Sequence, residues 1–380
     1  MSWLDTLRSD LRLAGRIRRL LQALVVLEGI TGPLSAQTIS VVRLKPSNAA
    51  LSEEFSYLPR LPVRELRDGR VLIPEGLSAA PRLLVADFTA NTVTPISRQG
   101  QGPGEFDIAG NLYGLPDDST LMQAGMSRWL VLRGSTILLT SRPSDFAMRQ
   151  AMGLLRGVDH AGSILSFNPR IRGDDSSTLV LVSRRSGKVT SVARLGVVSE
   201  PGYPPPLMRR GDTVFALRIP WWVFEDAHLF PDGWLAVARL QPYRVDWRSP
   251  AGKWILGAAI PGPRVKVDDR EKQGYMERLA NQRGTPVRPP STLEAWPEFV
   301  PPFETSALLL GTPNGDLLVP RVPTVDHPET QYDVIDRTGR RDRQVVLARN
   351  ERIVGFGLRS VYVAVTDDVG LQRIQRHAWP

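Results

Sequence analysis

The chain has 380 residues, 42% of them hydrophobic and 23% charged, with a net charge of +9. This composition supports a sizeable core and excludes an intrinsically disordered chain. Because there is no cysteine, disulfides, thiolate nucleophiles and cysteine-ligated zinc or iron–sulfur sites are excluded as well. The 32 glycines and 32 prolines are typical of a β protein with many turns.

The positive charge is mostly arginine and is scattered along the chain. Lysine occurs only at positions 45, 188, 253, 266 and 272, and no basic run is longer than a pair such as Arg209-Arg210. Nucleic-acid-binding proteins usually gather their positive charge on one face or along one helix. The sequence therefore predicts no nucleic-acid partner.

The first 36 residues have the pattern of a secretory signal peptide. A basic patch at Arg16, Arg18 and Arg19 precedes the apolar run Leu20–Leu27, and small residues come before Gln37. We expect cleavage near Ala36 and export of residues 37–380 to the periplasm or the extracellular space. The alternative is an amphipathic helix docked on the domain, because Glu28 interrupts the apolar segment. The run is shorter than the roughly 20 residues that span a bilayer. No later segment is long and apolar enough either, so no membrane segment is predicted in the mature chain.

Short β runs joined by tight turns follow the predicted signal peptide. The stretch 38–44 (TISVVRL) is a lone strand with no hairpin partner nearby, whereas later strands come in pairs around a turn. The turns are Asp68-Gly69, Pro116-Asp117-Asp118, His160-Ala161-Gly162, Asp232-Gly233 and Asn314-Gly315. Their shorter spacings match one four-stranded propeller blade of about 40–50 residues, and the longer ones match a blade with insertions.

The glycine-rich stretch GQGPGEF, residues 100–106, is predicted to be structural. It lacks the Lys-Ser/Thr of a phosphate-binding loop, and its glycine spacing and flanking strands do not fit a dinucleotide-binding turn. Pro103-Gly104 fits the centre of a type II turn, because proline presets φ and glycine supplies a positive φ. Phe106 would anchor the connector in the core.

Aromatic residues and one insertion mark the predicted binding surface. Trp221-Trp222 precede a strand predicted to lie on the inner side of its blade. The charged stretch 267–284 is predicted to form a short helix over one end of the propeller. Tryptophan and tyrosine near arginine favour recognition of sugars, peptides or proteins, although packing between blades and a solvated connector remain open alternatives. The predicted ligand contacts are Trp221, His228, Tyr243, Arg270 and Tyr275.

The last segment, residues 352–378, supplies only three strands. Pairing it with the lone strand 38–44 would complete a blade and remove exposed sheet edges. The predicted fold is therefore all-β: a six-bladed β-propeller closed by an N-terminal strand on the C-terminal blade, with one short helical insertion. Four aspartates at equivalent blade positions are predicted to cap turns: Asp87, Asp246, Asp336 and Asp367.

Several motifs resemble those of bacterial exported six-bladed β-propellers related to NHL-type repeat proteins. They are LLVADFTANTVTPI followed by GQGPGEF, then YRVDWRSPAG, YDVIDRTGR and VGFGLRSVYVAVTDDVGLQRI. The resemblance extends in pattern over nearly all of residues 38–380 and is strongest at 83–106 and 332–376. It implies this fold and an exported location, and it implies no particular activity.

The residues give little support to catalysis. Only four histidines occur, and only His228 falls on a predicted inner strand, so a three-histidine zinc site is not expected. We expect no catalytic residue, no metal ligand and no cofactor; Ca²⁺ is the ion that a lactonase-like site would need, and nothing in the sequence supports it. The predicted function is a monomeric, non-catalytic module that binds a protein, peptide or carbohydrate. The alternative is a metal-dependent hydrolase or lyase of the lactonase-like type.

Overall fold

The computed structural model describes residues 39–45, 49–55, 58, 62–76, 80–124, 128–141, 154–167, 176–196, 207–210, 213–216, 220–221, 224–283, 285–293, 295–304 and 308–380. The predicted signal peptide, residues 1–36, lies outside them. The described residues are mostly β, and they include one α-helix, α1 (Asp269–Arg283). Within this part of the chain, no helix has the length and apolar character needed to cross a membrane.

Two short strands come first, and most later strands fall into groups of four, numbered here sheets 1 to 6; sheets 3 and 4 are continuous with each other as one eight-stranded sheet. The first two strands are β1 (Ser40–Val42) and β2 (Ala49–Ala50). Sheet 1 contains β3 (Arg64–Glu65), β4 (Val71–Glu75), β5 (Arg82–Asp87) and β6 (Thr92–Ser97). Sheet 2 contains β7 (Leu112–Gly114), β8 (Ser119–Ala124), β9 (Arg128–Arg133) and β10 (Thr136–Ser141). Sheet 3 contains β11 (Leu154–Val158), β12 (Ser163–Phe167), β13 (Ser176–Ser183) and β14 (Val189–Gly196).

The second half of the chain repeats this arrangement after the separate hairpin β15 (Leu207–Arg210) and β16 (Thr213–Ala216). Sheet 4 contains β17 (Asp226–Leu229), β18 (Leu235–Leu240), β19 (Tyr243–Arg248) and β20 (Trp254–Ile255). Sheet 5 contains β21 (Leu310–Gly311), β22 (Leu317–Pro320), β23 (Thr330–Ile335) and β24 (Arg341–Leu347). Sheet 6 contains β25 (Glu351–Phe356), β26 (Ser360–Thr366), β27 (Gln372–Ala378) and, from the start of the chain, β2.

Each of the five turns predicted from the sequence joins the first and second strands of one sheet. In sheets 1 to 5 these two strands pair in antiparallel register across the predicted turn. The glycine of the turn has a positive φ in four of them, as in Gly69 (83°) and Gly315 (87°). Turn chemistry alone therefore predicted where five of the sheets begin.

Buried apolar residues form one cluster at each junction between consecutive sheets. The cluster between sheets 3 and 4, for example, packs Leu165 and Leu179 of sheet 3 against Ala227 and Val237 of sheet 4. Equivalent clusters join sheets 1 and 2, 2 and 3, 4 and 5, 5 and 6, and also sheets 6 and 1. The hydrophobic core is thus divided into wedges between neighbouring sheets.

The N-terminal segment pairs differently from the prediction. Strand β1 lies parallel to the outer strand of sheet 5, with Ser40 opposite Arg343, and the predicted pairing of 38–44 with the C-terminal blade is wrong. Strand β2 joins the C-terminal sheet instead, with Ala49 opposite Arg376. The physical reason is burial: Leu51 and Phe55, which follow β2, are 1% and 0% exposed in the cluster between sheets 6 and 1.

Helix α1 confirms the predicted insertion. Asp268 caps its start, since the side-chain Oδ1 accepts a hydrogen bond from the Glu271 backbone N at 2.9 Å. The Glu271 carboxylate in turn accepts from the backbone N of Val325 at 2.9 Å, and Met276 is 3% exposed. The helix is therefore docked on the segment between β22 and β23.

The GQGPGEF connector also has the predicted conformation. Gly104 has a φ of 78°, and the backbone N of Glu105 donates to the carbonyl of Gly102 at 3.1 Å, as in a type II turn around Pro103-Gly104. Phe106 is fully buried. The stretch is a structural connector between sheets 1 and 2.

Candidate functional site

A cavity of about 310 Å³ lies where the first strands of all six sheets meet. Its wall includes residues of β3, β7, β11, β17, β21 and β25, with adjoining turn residues such as Pro231 and Pro313. Backbone contacts join these strands directly: Gly157 of β11 pairs with Leu229 of β17. Gly157 has a φ of 142°, and a Cβ there would lie 2.3 Å from the carbonyl oxygen of Leu229, so this close approach requires glycine.

The cavity wall has one polar side and one apolar side. Sheets 1 to 4 contribute most of the lining side chains that carry hydrogen-bonding or charged groups, which are Arg64, Asn111, Tyr113, Arg156 and His228, and sheet 5 adds Thr312. Sheets 5 and 6 contribute mostly apolar side chains and glycines, including Leu309, Gly311 and Phe356. A concave site with apolar walls and a few convergent polar groups is the usual form of a small-molecule site.

His228 is the predicted ligand contact that the structure places on this wall. Its ring packs edge-on against Phe230, with 4.8 Å between centroids, and among the described residues none forms a hydrogen bond to it. Burial, with a smaller contribution from the positive charge of Arg156, lowers the pKa of His228 to about 4. The imidazole is therefore neutral near pH 7 and offers one donor and one acceptor.

A buried ion pair lies beside His228. Arg156 of β11 donates from Nε to Asp226 Oδ1 of β17, and their side chains are 7% and 0% exposed. The same oxygen accepts from the backbone N of Ala227 at 2.8 Å, whereas Asp226 Oδ2 is buried and has no hydrogen-bond partner among the residues that the structure describes. Burial raises the pKa of Asp226 despite the opposing charge of Arg156.

Arg64 supplies the second positive charge on the wall. It donates to Thr120 Oγ1, and its Nη2 lies 3.5 Å from Asp118 Oδ1, which is a long ion pair. Burial lowers the pKa of Arg64, because the charged guanidinium has lost much of its water. Its charge is only loosely matched by protein groups.

Tyr113 and Asn111 complete the polar side. The Tyr113 hydroxyl donates to the carbonyl of Leu155 at 3.0 Å and accepts from Asn111 Nδ2 at 2.9 Å, which joins sheet 2 to sheet 3. Burial raises the pKa of Tyr113, so it stays protonated. The pair holds the wall in place beside Arg156.

The structure brings Trp221 and Tyr275 together outside the cavity. Their ring centroids are 4.8 Å apart, and Trp296, which the sequence reasoning did not select, lies 5.9 Å from Trp221 and 5.6 Å from Tyr275. All three rings are partly exposed. Trp221 has a φ of 47°, a left-handed conformation that side-chain-bearing residues seldom adopt, so packing fixes this segment. This aromatic cluster links α1 to the segment before β17.

The other two predicted contacts are placed elsewhere. Tyr243 is 7% exposed, and its hydroxyl donates to Asp333 Oδ2 at 2.9 Å across the junction of sheets 4 and 5. Arg270 is on the exposed face of α1, paired with Asp326 at 2.8 Å. The structure thus separates the five predicted contacts into a cavity residue, an aromatic cluster, a buried tyrosine and a surface arginine.

Sequence reasoning missed most of the polar wall. Arg64, Asn111, Tyr113 and Arg156 lie on or beside first strands of only two to five residues, which show no alternation. The available signal was a glycine next to three of these four residues, as in Tyr113-Gly114 and Arg156-Gly157; Arg64 has none beside it. In the part of the chain that the structure describes, no three histidine, aspartate or glutamate side chains are grouped as metal ligands.

No protein-family model matches the chain, and no curated protein sequence matches it. Solved structures with a similar fold include regucalcin, a calcium-binding protein from Agrobacterium tumefaciens, with 12% identity, a TM-score of 0.45, and coverage of 90% of this chain and 97% of that one. Oligogalacturonate lyase in complex with manganese has 11% identity, a TM-score of 0.44, and coverage of 90% and 96%.

A catalytically inactive virginiamycin B lyase from Staphylococcus aureus with quinupristin has 8% identity, a TM-score of 0.38, and coverage of 86% of this chain and 99% of that one. These neighbours are β-propeller proteins. With TM-scores below 0.5, the likenesses carry no argument about what this chain does, and its own geometry has to supply one.

Proposed function

We propose that this protein is an exported six-bladed β-propeller that binds a small molecule in its central cavity without catalysing a reaction. The six blades are sheets 1 to 6, and the ring is closed by β2 on β27 together with the apolar cluster between sheets 6 and 1. The observation that carries the proposal is the cavity of about 310 Å³, lined by the first strand of every sheet. Sites of this size and composition hold small molecules.

The cavity changes the kind of ligand expected. A protein, peptide or glycan chain needs an extended surface, whereas this cavity has a volume of small-molecule size. Trp221, Arg270 and Tyr275, outside the cavity, stay predicted contacts for a larger partner, and Tyr243 stays one only if the junction of sheets 4 and 5 opens. Export rests on the signal-peptide pattern of residues 1–36, and the relation to NHL-type repeats rests on the motifs at 83–106 and 332–376.

The experiment is a fragment screen by ligand-observed NMR on the full chain and on a cavity-filled variant. His228→Trp places a larger ring on the cavity wall, and His327→Trp makes the same exchange in an exposed loop. Fragments that bind the parent and the His327→Trp protein, and that are lost in His228→Trp, support the proposal. Fragments that bind all three proteins alike, or no fragment binding to any, contradict it.

The catalytic alternative has its own measurement. A metal-dependent hydrolase or lyase needs several converging oxygen or nitrogen ligands, and the polar wall holds two arginines, which repel a cation, beside His228, Asn111 and Tyr113, with no carboxylate among the described lining residues. Metal analysis of the purified full chain distinguishes the two functions. Stoichiometric Ca²⁺ or Zn²⁺ that resists dialysis would favour the alternative.

A further inference from the structure

The charged groups on the cavity wall are all of one sign. Among the described residues that line it, the ionised side chains are Arg64 and Arg156, and no aspartate or glutamate lines it. Their carboxylate partners, Asp118 and Asp226, belong to positions outside the lining. A molecule in the cavity therefore meets guanidinium groups on the polar side, while the balancing negative charge is farther away.

The two arginines are suited to one negative charge and not to several. Asp118 and Asp226 pair with Arg64 and Arg156, so a ligand need not neutralise both cations, and the field in the cavity comes from the arrangement of these groups. Arg64 is the less well matched, because its carboxylate is 3.5 Å away and burial lowers its pKa. A ligand carboxylate that accepts hydrogen bonds from a guanidinium replaces the hydrogen bonds to water that the buried cation lost on desolvation.

The rest of the wall selects the remainder of the ligand. Leu309, Phe230 and Phe356 present apolar surface to the cavity. Gly311 allows its strand to lie close to sheet 4, because a Cβ there would be 2.7 Å from Phe230 and 2.8 Å from His228 Nε2. A ligand that is charged all over would leave this side without favourable contacts. Neutral His228 adds one hydrogen-bond donor and one acceptor between the two sides.

We infer that the ligand is a small monocarboxylate with an apolar body, its carboxylate held by Arg64 and Arg156 and its body against the side formed by sheets 5 and 6. This rests on the proposed function, since it names the ligand class of the same cavity. Arg64 and Arg156 act as specificity-determining residues.

The test uses three probes of nearly equal size that differ in charge: phenylacetate, phenylacetamide and 2-phenylethylamine. Binding to the full chain is measured by calorimetry, with inorganic phosphate as a fourth arm. Since a charge-assisted contact is about twice as strong as a neutral one, phenylacetate is expected to bind roughly tenfold or more tightly than the amide and the amine. Phosphate, which lacks an apolar body, is expected to bind more weakly than phenylacetate.

Two variants assign the effect to the wall. Arg64→Gln removes one cation, and the pair Arg156→Gln with Asp226→Asn removes the other without leaving a buried charge unpaired; each should weaken phenylacetate binding about tenfold and leave the amide unchanged. Arg98→Gln is the matched control, because Arg98 is 82% exposed and paired with Glu105 away from the first strands. Circular dichroism confirms that each variant is folded.

The outcomes separate this inference from the proposed function. Amide or amine binding as tight as phenylacetate, lost in His228→Trp, would overturn the inference and leave the proposed function standing. Phenylacetate binding that survives both arginine variants, phosphate binding tighter than phenylacetate, or no binding of any probe to a parent protein that binds other fragments would also overturn the inference alone. Only failure of the fragment screen itself overturns both.

Discussion

Two buried aspartates, both 0% exposed, have opposite hydrogen-bond environments. Asp333, in the third strand of sheet 5, accepts at both oxygens: from Arg341 and Gln344 at Oδ1, and from Arg321 and Tyr243 at Oδ2. Asp226, beside the central cavity, accepts at Oδ1 from Arg156 and Ala227, and in the described part of the chain no group donates to Oδ2. A buried carboxylate whose two oxygens both accept hydrogen bonds stabilises the junction between sheets. One with an oxygen that accepts no hydrogen bond lowers the free energy of unfolding.

The largest effect should come from Asp333→Asn. The change leaves two arginines, 17% and 12% exposed, without their counter-charge and turns one acceptor into a donor facing other donors. We expect a loss of about 4 kcal/mol in the free energy of unfolding, because breaking a buried ion pair strands the partner charge. Urea denaturation measures it. Asp232→Asn, which breaks an exposed pair with Arg337, is the control and should cost at most about 0.5 kcal/mol.

Asp246→Asn should cost somewhat less, about 3 kcal/mol, although Asp246 is also saturated and 1% exposed. It holds Arg239 and Arg244, but Arg239 keeps a second partner in Glu225 at 2.6 Å. One of the two cations is therefore still paired in the variant. Chemical denaturation of the Asp246→Asn and Asp333→Asn proteins side by side tests this order. A larger loss at Asp246 would show that the second partner of Arg239 gives no compensation.

The cavity side is tested by pH. Histidine in an unfolded chain has a pKa of about 6.5, and His228 in the fold has one of about 4. The unfolded state thus binds more protons between these values, so this part of the stability is complete above pH 6.5 and is lost as the pH falls through 4. In His228→Gln, the free energy of unfolding should fall less between pH 6.5 and 4, by about 2 kcal/mol. Equal slopes for parent and variant would mean that the ring titrates in the native protein as it does in the unfolded chain.

Asp226→Asn should have the smallest effect, a loss of about 1 kcal/mol. The variant removes Arg156's carboxylate partner, but it also removes a carboxylate whose pKa burial raises and whose Oδ2 has no hydrogen-bond partner among the described residues. These changes oppose one another, unlike those at Asp333. Thermal and urea unfolding of the two variants should differ clearly, and a loss at Asp226 as large as that at Asp333 would remove the distinction between saturated and half-used carboxylates.

The fold was predictable where local chemistry decides it. Five hairpins are marked by their turn residues: those of sheets 1, 4 and 5 by Gly69, Gly233 and Gly315, and those of sheets 2 and 3 by their own turns. Asp268 marks the start of α1. Asp87, Asp336 and Asp367 accept from backbone N–H groups two to four residues later, as predicted for turn caps. Asp246 does not, and that prediction was wrong: it lies within a strand and pairs with arginines.

The site was predictable only in part, because it is built by tertiary contacts. Tyr243 looked available for a ligand, yet its hydroxyl is directed to Asp333, 90 residues away. Arg64 and Arg156 line the same cavity from different sheets, and the sequences of their short strands do not indicate that the two side chains are close in space. Local pattern identifies a strand, but which inward side chains share a wall depends on how six sheets are arranged.

The pairing of β2 with β27 has a consequence for folding kinetics. The backbone N of Leu58 donates to the Gln372 side chain, a contact between residues 314 positions apart, and Phe55 pairs with Gln372 as well. Contacts between residues so far apart in sequence form slowly, because the entropy of closing a long loop is lost before the contacts stabilise the fold. Until synthesis reaches the last strand, Leu51 and Phe55 lack the sheet 6 side of the cluster that buries them. The apolar start of the domain is thus the part most dependent on its end, and a chain truncated before residue 372 should leave it exposed to aggregation.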